Sequence, residues 1–387
     1  MEKVLLLSDF LVCDNEATIL IDEGLEQLFT PSVCDLLFSQ NNIIVANIEG
    51  PITEKKEPQP KGDSPNIKSN PLILKVLNQI PHLVVSGANN HISDYGEEGI
   101  RDTENYLRNN NIPYMGFAVS DEVLCSEHRI TIKHQNIVLY SVAQNEFSSI
   151  RYNSYGANGY DPLTTFDKIR EIKSKADQVI VLFHAGKENY VYPTPEQQRI
   201  CRKMIASGAS LVVCQHSHCI GCEENYLNGK IIYGTGNFYF NISNNPLWDH
   251  SIIPNITFDD NGKMRITYTV LHRKEKKITI LEGCERDKVL KAFDERSSLI
   301  PEASFVMSKW REYCNQNRHY ILMKGFSRVP MRFLYRLDSM TGHKLFNLIF
   351  RNSERNLTDL NILRCEAISE MAHTILSELC KNQDNKR

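Results

Sequence analysis

The stretch HLVVSGANNHISDYGEEGIRDTENYL (82–107) contains the pattern that decides the fold. It begins with a short apolar run, HLVVSG (82–87), and polar residues follow at once: Asn89, Asn90 and His91. Helical spacing then extends over 97–110. A buried strand that leads into a helix is the repeating unit of α/β proteins. The stretch therefore predicts an α/β fold and places polar side chains where a strand ends.

Other apolar runs repeat the first half of this unit. They are rich in Val, Ile and Leu and lack alternation, which predicts strands covered on both faces. Helical spacing recurs in 165–176 and 195–207. The two segments at 251–258 and 263–272 follow one another without a helix and predict an antiparallel portion or a second sheet. The apolar runs are KVLLLS (3–8), NIIVANI (42–48), NIVLYSV (136–142), QVIVLF (178–183), SLVVCQ (210–215) and KIIYGT (230–235).

Composition is that of an ordinary globular protein of 387 residues, with 41% hydrophobic residues, 24% charged residues and a net charge of −3. This balance predicts no nucleic-acid affinity. The 11 cysteines are odd in number and irregularly spaced, which favours reduced thiols in a cytoplasmic protein over a disulfide framework. The N-terminal apolar run is short and is interrupted by Asp9, so it does not resemble a signal peptide. We therefore expect a cytoplasmic location.

After about residue 280, the sequence pattern changes from alternating strands and helices to helical segments. We expect a main domain at 1–280 and a helical C-terminal extension at 281–387. Residues 284–387 contain 18 Lys and Arg against 13 Asp and Glu, whereas 1–283 contain 26 against 34. Arg328, Arg332 and Arg336 recur every four residues in the extension. They form either the solvated face of a packed helix or a basic surface for an anionic membrane or an acidic partner.

The apolar runs end in residues that can bind a metal ion. In an open α/β sheet, ligands bind outside the carboxyl ends of the strands. One such residue alone is usually a cap or a hydrogen-bonded surface residue, but five strand ends deliver them together. Mixed imidazole, carboxylate and amide ligands suit Mn, Fe or Zn better than Ca or Mg, and one or two ions are expected. The residues are Asp9, Asn47, Glu49, Asn89, Asn90, His91, His184, His216 and His218.

The stretch CQHSHCIGC (214–222) concentrates three cysteines and two histidines. A zinc knuckle needs four ligands, and the chain contains no second Cys-x-x-C to complete one. A redox pair would begin a helix in its own βαβ unit. We therefore assign His216 and His218 to the metal centre and expect Cys219 and Cys222 to pack in a loop.

His91 has a possible partner three residues on, in Asp94. A carboxylate at this spacing either orients the imidazole or caps the following helix. In the first case His91 is a candidate general acid.

Six blocks of the chain resemble the CapA family of capsule and poly-γ-glutamate synthesis proteins, whose domain is similar to calcineurin-like metallophosphoesterases. The resemblance spans roughly residues 4–272 and implies a four-layer α/β/β/α sandwich. It also implies that Asp9, Glu49, Asn90, His184, His216 and His218 bind metal and that His91 is the catalytic acid. The blocks are SDF (8–10), ANIEGPIT (46–53), GANNHISDYGEEGIRDTENYL (87–107), FHAGKENYVYPTPEQQ (183–198), SGASLVVCQHSHCI (207–220) and IIYGTGNFYF (231–240).

Two positions depart from the phosphoesterase pattern. Leu11 stands where those enzymes have a histidine, and Glu49 replaces a bridging aspartate. Two hypotheses follow. The first is a divalent-metal-dependent hydrolase of the phosphoesterase type that acts on a small-molecule or polymer substrate in surface-polymer metabolism. The second is a non-catalytic component of a polymer synthesis or export assembly, with a structural or vestigial metal site.

Overall fold

The computed structural model describes residues 3–22, 24–61, 64–151, 153–326 and 331–342, with seven isolated residues beyond them. Contacts divide the chain into two compact units, Met1–Lys309 and Trp310–Arg387. The domain boundary expected at residue 280 stays a prediction. In the described part, no helix is both long enough and apolar enough to span a membrane.

The strands lie mostly in the first 280 residues, as the sequence predicts. Those predicted at 3–8, 136–142 and 178–183 each extend by one or two residues, while the one predicted at 230–235 ends at Ile232. The strands are β1 (Lys3–Phe10), β2 (Asn42–Ile48), β3 (Leu83–Ser86), β4 (Tyr114–Met115), β5 (Phe117–Ala118), β6 (Glu127–Ile132), β7 (Gln135–Ala143), β8 (Gly156–Ala157), β9 (Gln178–His184), β10 (Leu211–Gln215), β11 (Glu223–Tyr226), β12 (Gly229–Ile232), β13 (Asn237–Tyr239), β14 (His250–Phe258), β15 (Met264–Lys274) and β16 (Lys277–Ile280).

The helices begin where local chemistry favours them. Before Pro195, for example, the Thr194 hydroxyl accepts a hydrogen bond from Gln197 N, and proline occupies the first helical position. The helices are α1 (Asp14–Asp22), α2 (Pro31–Leu37), α3 (Leu74–Leu77), α4 (Gly96–Asn109), α5 (Thr165–Lys173), α6 (Pro195–Ala206), α7 (Gly283–Leu299), α8 (Ala303–Phe326) and α9 (Met331–Met340).

Two main sheets form the first unit. The eight-stranded sheet has the order β16-β15-β14-β1-β2-β3-β4, with β13 also paired to β1. Its strands β1 to β4 are parallel, and β14, β15 and β16 form the antiparallel portion. The six-stranded sheet has the order β11-β12-β10-β9-β7-β6 and a parallel centre. The later strands therefore extend the first sheet.

The sheets face each other, and helices cover their outer faces. Alternate residues of β1 separate the layers, because successive side chains point to opposite faces of a strand. Leu5 and Leu7 pack in a cluster with helices α2, α3 and α4, whereas Val4 and Leu6 pack against strands of the second sheet. The second sheet buries its outer face against α5 and α6. This confirms the predicted α/β/β/α sandwich.

The loop at 54–71 differs from what its composition predicts, and the basic stripe of the C-terminal part is only partly described. The stretch 54–71 has the composition of an exposed loop, yet Lys61, Ile67 and Ser69 are buried in it. In the C-terminal part, Arg328 lies outside the described residues, and Arg332 is described only as part of the α9 backbone. Arg336 is exposed. The basic stripe of the extension stays a prediction.

Candidate metal centre

The carboxyl ends of strands from both sheets meet at one place. The register between β1 and β2 shifts between Leu7 and Asp9, and such irregularities re-aim a side chain near functional sites. Glu49 directly follows β2, and His184 is the last residue of β9. His216 and His218 lie in the turn after β10. All these side chains are buried.

Asp9, Glu49 and His218 form one group that could hold a metal ion, with one ligand atom from each lying within 4.8 Å of the others. Nδ1 of His218 is 3.3 Å from Oδ2 of Asp9, and its Nε2 is 4.0 Å from Oε1 of Glu49. Asn47 supports this group, because its Nδ2 donates to Oδ1 of Asp9 at 2.8 Å. Asn237 lies on the other side, with Oδ1 2.8 Å from Nδ1 of His218.

Glu49, His184 and His216 form a second such group. Nε2 of His184 is 3.7 Å from Oε1 of Glu49 and 3.2 Å from Nδ1 of His216. Oδ1 of Asn90 lies 2.9 Å from the same nitrogen of His184. The two groups share Glu49, which could therefore contribute to both.

Glu49 is a buried carboxylate whose neighbouring imidazoles, those of His184 and His218, lie 3.7 Å and 4.0 Å away. Neither of its oxygens has a hydrogen-bond partner among the described residues, and the residue is fully buried. An uncompensated buried carboxylate costs several kcal/mol, and cations or hydrogen-bond donors normally offset that cost. Burial, together with the nearby charges of Asp9 and Glu188, raises the pKa of Glu49 well above its usual range. The donor set and this orphaned carboxylate fit a divalent cation.

Asp9, His184 and His216 are held in the forms that bind metals, whereas His218 is shifted toward its charged form. Burial lowers the pKa of His184 well below its ordinary value and that of His216 to about 4, so both are neutral at pH 7. Burial alone would raise the pKa of Asp9, but hydrogen bonding to His218 and the charges of His184 and His218 lower it to about 2. Hydrogen bonding to Asp9 raises the pKa of His218 against the effect of burial. Metal ligands must be neutral imidazoles and ionised carboxylates.

The turn that carries the two histidines is strained. His216 has φ 88° and His218 has φ 57°, the left-handed region that side chains other than glycine rarely adopt. Strain of this kind clusters at functional sites, where the surrounding structure enforces it. His216 N donates to Oδ2 of Asp9 at 3.3 Å, so the turn itself is tied to the first sheet.

His91 and Asp94 form a hydrogen-bonded pair beside this centre. Nδ1 of His91 is 2.7 Å from Oδ2 of Asp94. Asp94 does not cap helix α4, whose N-cap is Tyr95 and has no side-chain hydrogen bond. The alternative of a plain helix cap is therefore wrong, and the carboxylate orients the imidazole. His91 follows Asn90 directly, which links the pair to the second group.

The structure brings the predicted strand-end residues to one place, but two side chains that lie beside them were not predicted. Glu146 lies with Oε1 3.6 Å from Nε2 of His216. It stands three residues past the end of β7, so the strand-end rule could have found it. Lys61 contacts the His91–Asp94 pair from the loop at 54–71. Nothing in the composition of that loop marks it.

The cysteines of CQHSHCIGC stay outside both groups. Cys219 and Cys222 are buried free thiols, and neither belongs to a metal-binding group of the described residues. Burial raises the pKa of Cys219 to about 11 and that of Cys222 well above its usual value. Cys214 lies in β10, where it packs in the outer core of the second sheet.

Two facing sheets with a buried histidine–carboxylate cluster at their common edge define a four-layer α/β/β/α sandwich with a candidate metal centre. The family model described as "Bacterial capsule synthesis protein PGA_cap" matches residues 18–242. The match covers more than half of the chain, which therefore belongs to this family. The resemblance inferred from the sequence blocks is thus confirmed.

Two curated relatives share this part of the chain. The PGA biosynthesis protein CapA of Bacillus subtilis (strain 168) is 26% identical over 244 residues, which cover 61% of this chain and 63% of that protein. The capsule biosynthesis protein CapA of Bacillus anthracis is 25% identical over 213 residues, 52% of this chain and 51% of that protein. The chain thus matches between half and two thirds of the length of these relatives.

Among solved structures, a phosphatase from Mycoplasma pneumoniae is similar with a TM-score of 0.42 and 12% identity, over 74% of this chain and 98% of that chain. The fold assignment of this chain depends on the sheet order and the packing of the layers.

Proposed function

We propose that this protein is a divalent-metal-dependent hydrolase of the phosphoesterase type that serves the synthesis of a capsule or a poly-γ-glutamate-type surface polymer. The observation that carries the proposal is Glu49, a fully buried carboxylate shared by two groups of possible ligands and without hydrogen-bond partners in the described part of the chain. The two relatives, a PGA biosynthesis protein and a capsule biosynthesis protein, support the biological setting.

The candidate ligands fall into two sets. Asp9 and His218 would hold one ion with Glu49, and His184, His216 and Asn90 would hold a second one, of Mn, Fe or Zn. When bound, the ions would supply Lewis-acid polarisation of the scissile group and lower the pKa of a coordinated water.

His91 is placed to move a proton. Its Nδ1 is held by Asp94, which leaves Nε2 as the nitrogen that can give a proton to a leaving group. A positioned general acid of this kind contributes about 10²–10⁴-fold to a rate. Asp94 would fix the ring orientation and the tautomer.

Metal content and turnover test the proposal. We expect the purified protein to contain at least one divalent ion and to hydrolyse a member of a panel of phosphomonoesters and phosphodiesters. The His184→Ala/His216→Ala variant should lose both properties, and His82→Ala, a histidine away from the centre, should keep them. Retention of metal and turnover in the double variant would refute the proposal.

A second candidate, a non-catalytic component of a polymer assembly, is favoured by one observation. Leu11 is buried in an apolar cluster with Phe240 and Trp248, where related phosphoesterases have a histidine. A site with fewer ligands suits a structural ion. Reproducible turnover that is lost in Glu49→Ala would exclude this candidate.

Two further proposals concern the location of the protein in the cell and its contacts with a membrane or a partner. The free thiols of the described cysteines support a cytoplasmic location, which cell fractionation would test. The basic composition of the extension supports contact with an anionic membrane or an acidic partner. Cosedimentation with phosphatidylserine vesicles at low salt should be positive, and no binding would refute the membrane contact.

A further inference from the structure

Lys61 is a buried cation in contact with the His91–Asp94 pair. Only 5% of its side chain is exposed, and a lysine is rarely buried unless it is paired. Its Nζ lies 2.5 Å from Oδ1 of Asp94 and 3.3 Å from Nδ1 of His91. The chain therefore places an ammonium group directly on the pair that would perform the proton transfer.

The segment that carries Lys61 is built around Asp94. Gln59 N donates to the backbone oxygen of Asp94 at 2.7 Å, and Ile67 N donates to Oδ2 at 2.8 Å. Nζ of Lys61 also lies 3.4 Å from the backbone oxygen of Pro65. Three groups of one segment thus converge on a single aspartate, although Asp94 is 27 to 35 positions away in the chain.

The two carboxylate oxygens of Asp94 serve different partners. Oδ1 binds Lys61, while Oδ2 binds His91 and Ile67 N. With Oδ1 engaged, the carboxylate cannot rotate without breaking a charge-assisted hydrogen bond. We propose that Lys61 is a positioning residue, which holds Asp94 in the orientation that aligns His91 for proton transfer to the leaving group. This inference rests on the proposed hydrolase function.

A direct contact between Lys61 and substrate is the competing role. Lys61 lines a cavity of about 110 Å³ together with Gln59, Ser93, Phe147 and Tyr155. The charge of Lys61 is compensated by Asp94, however, so the cavity receives little net positive charge from the pair. The same cavity leaves room for the larger guanidinium of a Lys61→Arg variant.

Hydrogen exchange tests the positioning role without any turnover. Lys61→Met removes the ammonium group and keeps the length of the side chain. We expect the amides of 59–67 and 91–94 to exchange at least about tenfold faster in this variant and to recover in Lys61→Arg. Lys68→Met, a lysine of the same loop that instead donates to the backbone oxygen of Lys55, is the matched control. Unchanged exchange in Lys61→Met overturns the inference.

Turnover of two phosphoesters gives the second readout. A 4-nitrophenyl ester has a leaving group that needs little acid assistance, whereas an alkyl ester needs a general acid. Lys61→Met should lower kcat for the alkyl ester by about 10–100-fold and leave the 4-nitrophenyl ester within about threefold. The His91→Ala/Lys61→Met variant should be no slower than His91→Ala.

Two other outcomes of the turnover experiment would contradict the positioning role of Lys61. Equal losses for both esters would indicate general disruption, and a raised KM with unchanged kcat would indicate substrate contact; either overturns the inference. If the wild type turns over no phosphoester, the proposed function fails, and the exchange experiment alone decides whether Lys61 holds the pair.

Discussion

Two buried carboxylates of this protein, Asp94 and Glu49, lie close to the same centre and differ in their partners. Asp94 has an ammonium group, an imidazole and a backbone N–H within hydrogen-bond distance. Glu49 has no hydrogen-bond partner among the described residues. The folded chain supplies a cation for Asp94, and we propose that a metal ion supplies one for Glu49. The difference separates the hydrogen-bonded His91–Asp94 pair from the two candidate metal groups.

The largest expected effect comes from a substitution in the His91–Asp94 pair. His91→Ala removes the candidate acid and should lower kcat by about 10²–10⁴-fold, while metal content stays unchanged because His91 belongs to neither ligand group. Steady-state kinetics and elemental analysis of one preparation measure both quantities. A parallel loss of metal would mean that His91 is a ligand.

The sequence predicted much of this site for a physical reason. Ligand side chains at the ends of buried parallel strands must converge, because those ends share one edge of a sheet. The composition of the strands also predicted their two-sided burial, and the family resemblance implied the four-layer sandwich. Glu146 follows the same rule from the end of strand β7, although it was not predicted.

Other features had no local signal. Lys61 lies in a polar loop, and its burial depends on a contact with Asp94 that tertiary packing alone creates. The left-handed backbone of His216 and His218 is unfavourable for the residues themselves. Sequence patterns report local preference, so they cannot indicate a conformation that the rest of the fold imposes against that preference.

The next largest effect is expected on the stability of the protein when each of the two carboxylates is replaced by its amide. A chelator first removes any bound metal. Asp94→Asn leaves the Lys61 ammonium buried without its counter-charge, which should lower the free energy of unfolding by about 3–5 kcal/mol. Glu49→Gln removes a carboxyl group that has no hydrogen-bond partner among the described residues and should leave the stability equal or higher. Urea unfolding of both variants measures the contrast.

The two substitutions serve as controls for each other, because each replaces a buried carboxylate by its amide. If Glu49→Gln destabilised the stripped protein as much as Asp94→Asn, Glu49 would have a partner within the chain. The contrast between the two carboxylates would then fail.

A smaller effect is expected from adding metal back. A divalent ion at 100 times its Kd stabilises the folded state by about 2.7 kcal/mol, since it binds the assembled ligands and not the unfolded chain. Thermal unfolding with Mn²⁺ or Zn²⁺ should show a raised Tm for the wild type and no shift for Glu49→Gln. A shift of equal size in the variant would place the ion elsewhere.

The smallest effect is expected from the cysteines of CQHSHCIGC. Burial raises the pKa of Cys219 to about 11 and keeps Cys222 protonated as well, whereas metal binding needs a thiolate. Cys219→Ala/Cys222→Ala should therefore keep the metal content of the wild type and lose only about 1 kcal/mol of stability per buried thiol. His218→Ala, which removes a neighbouring imidazole from the first group, should lower metal content in the same assay. A metal loss in the cysteine variant that matches the loss in His218→Ala would mean that the thiols are ligands, and the centre would then extend beyond the histidines and carboxylates of the strand ends.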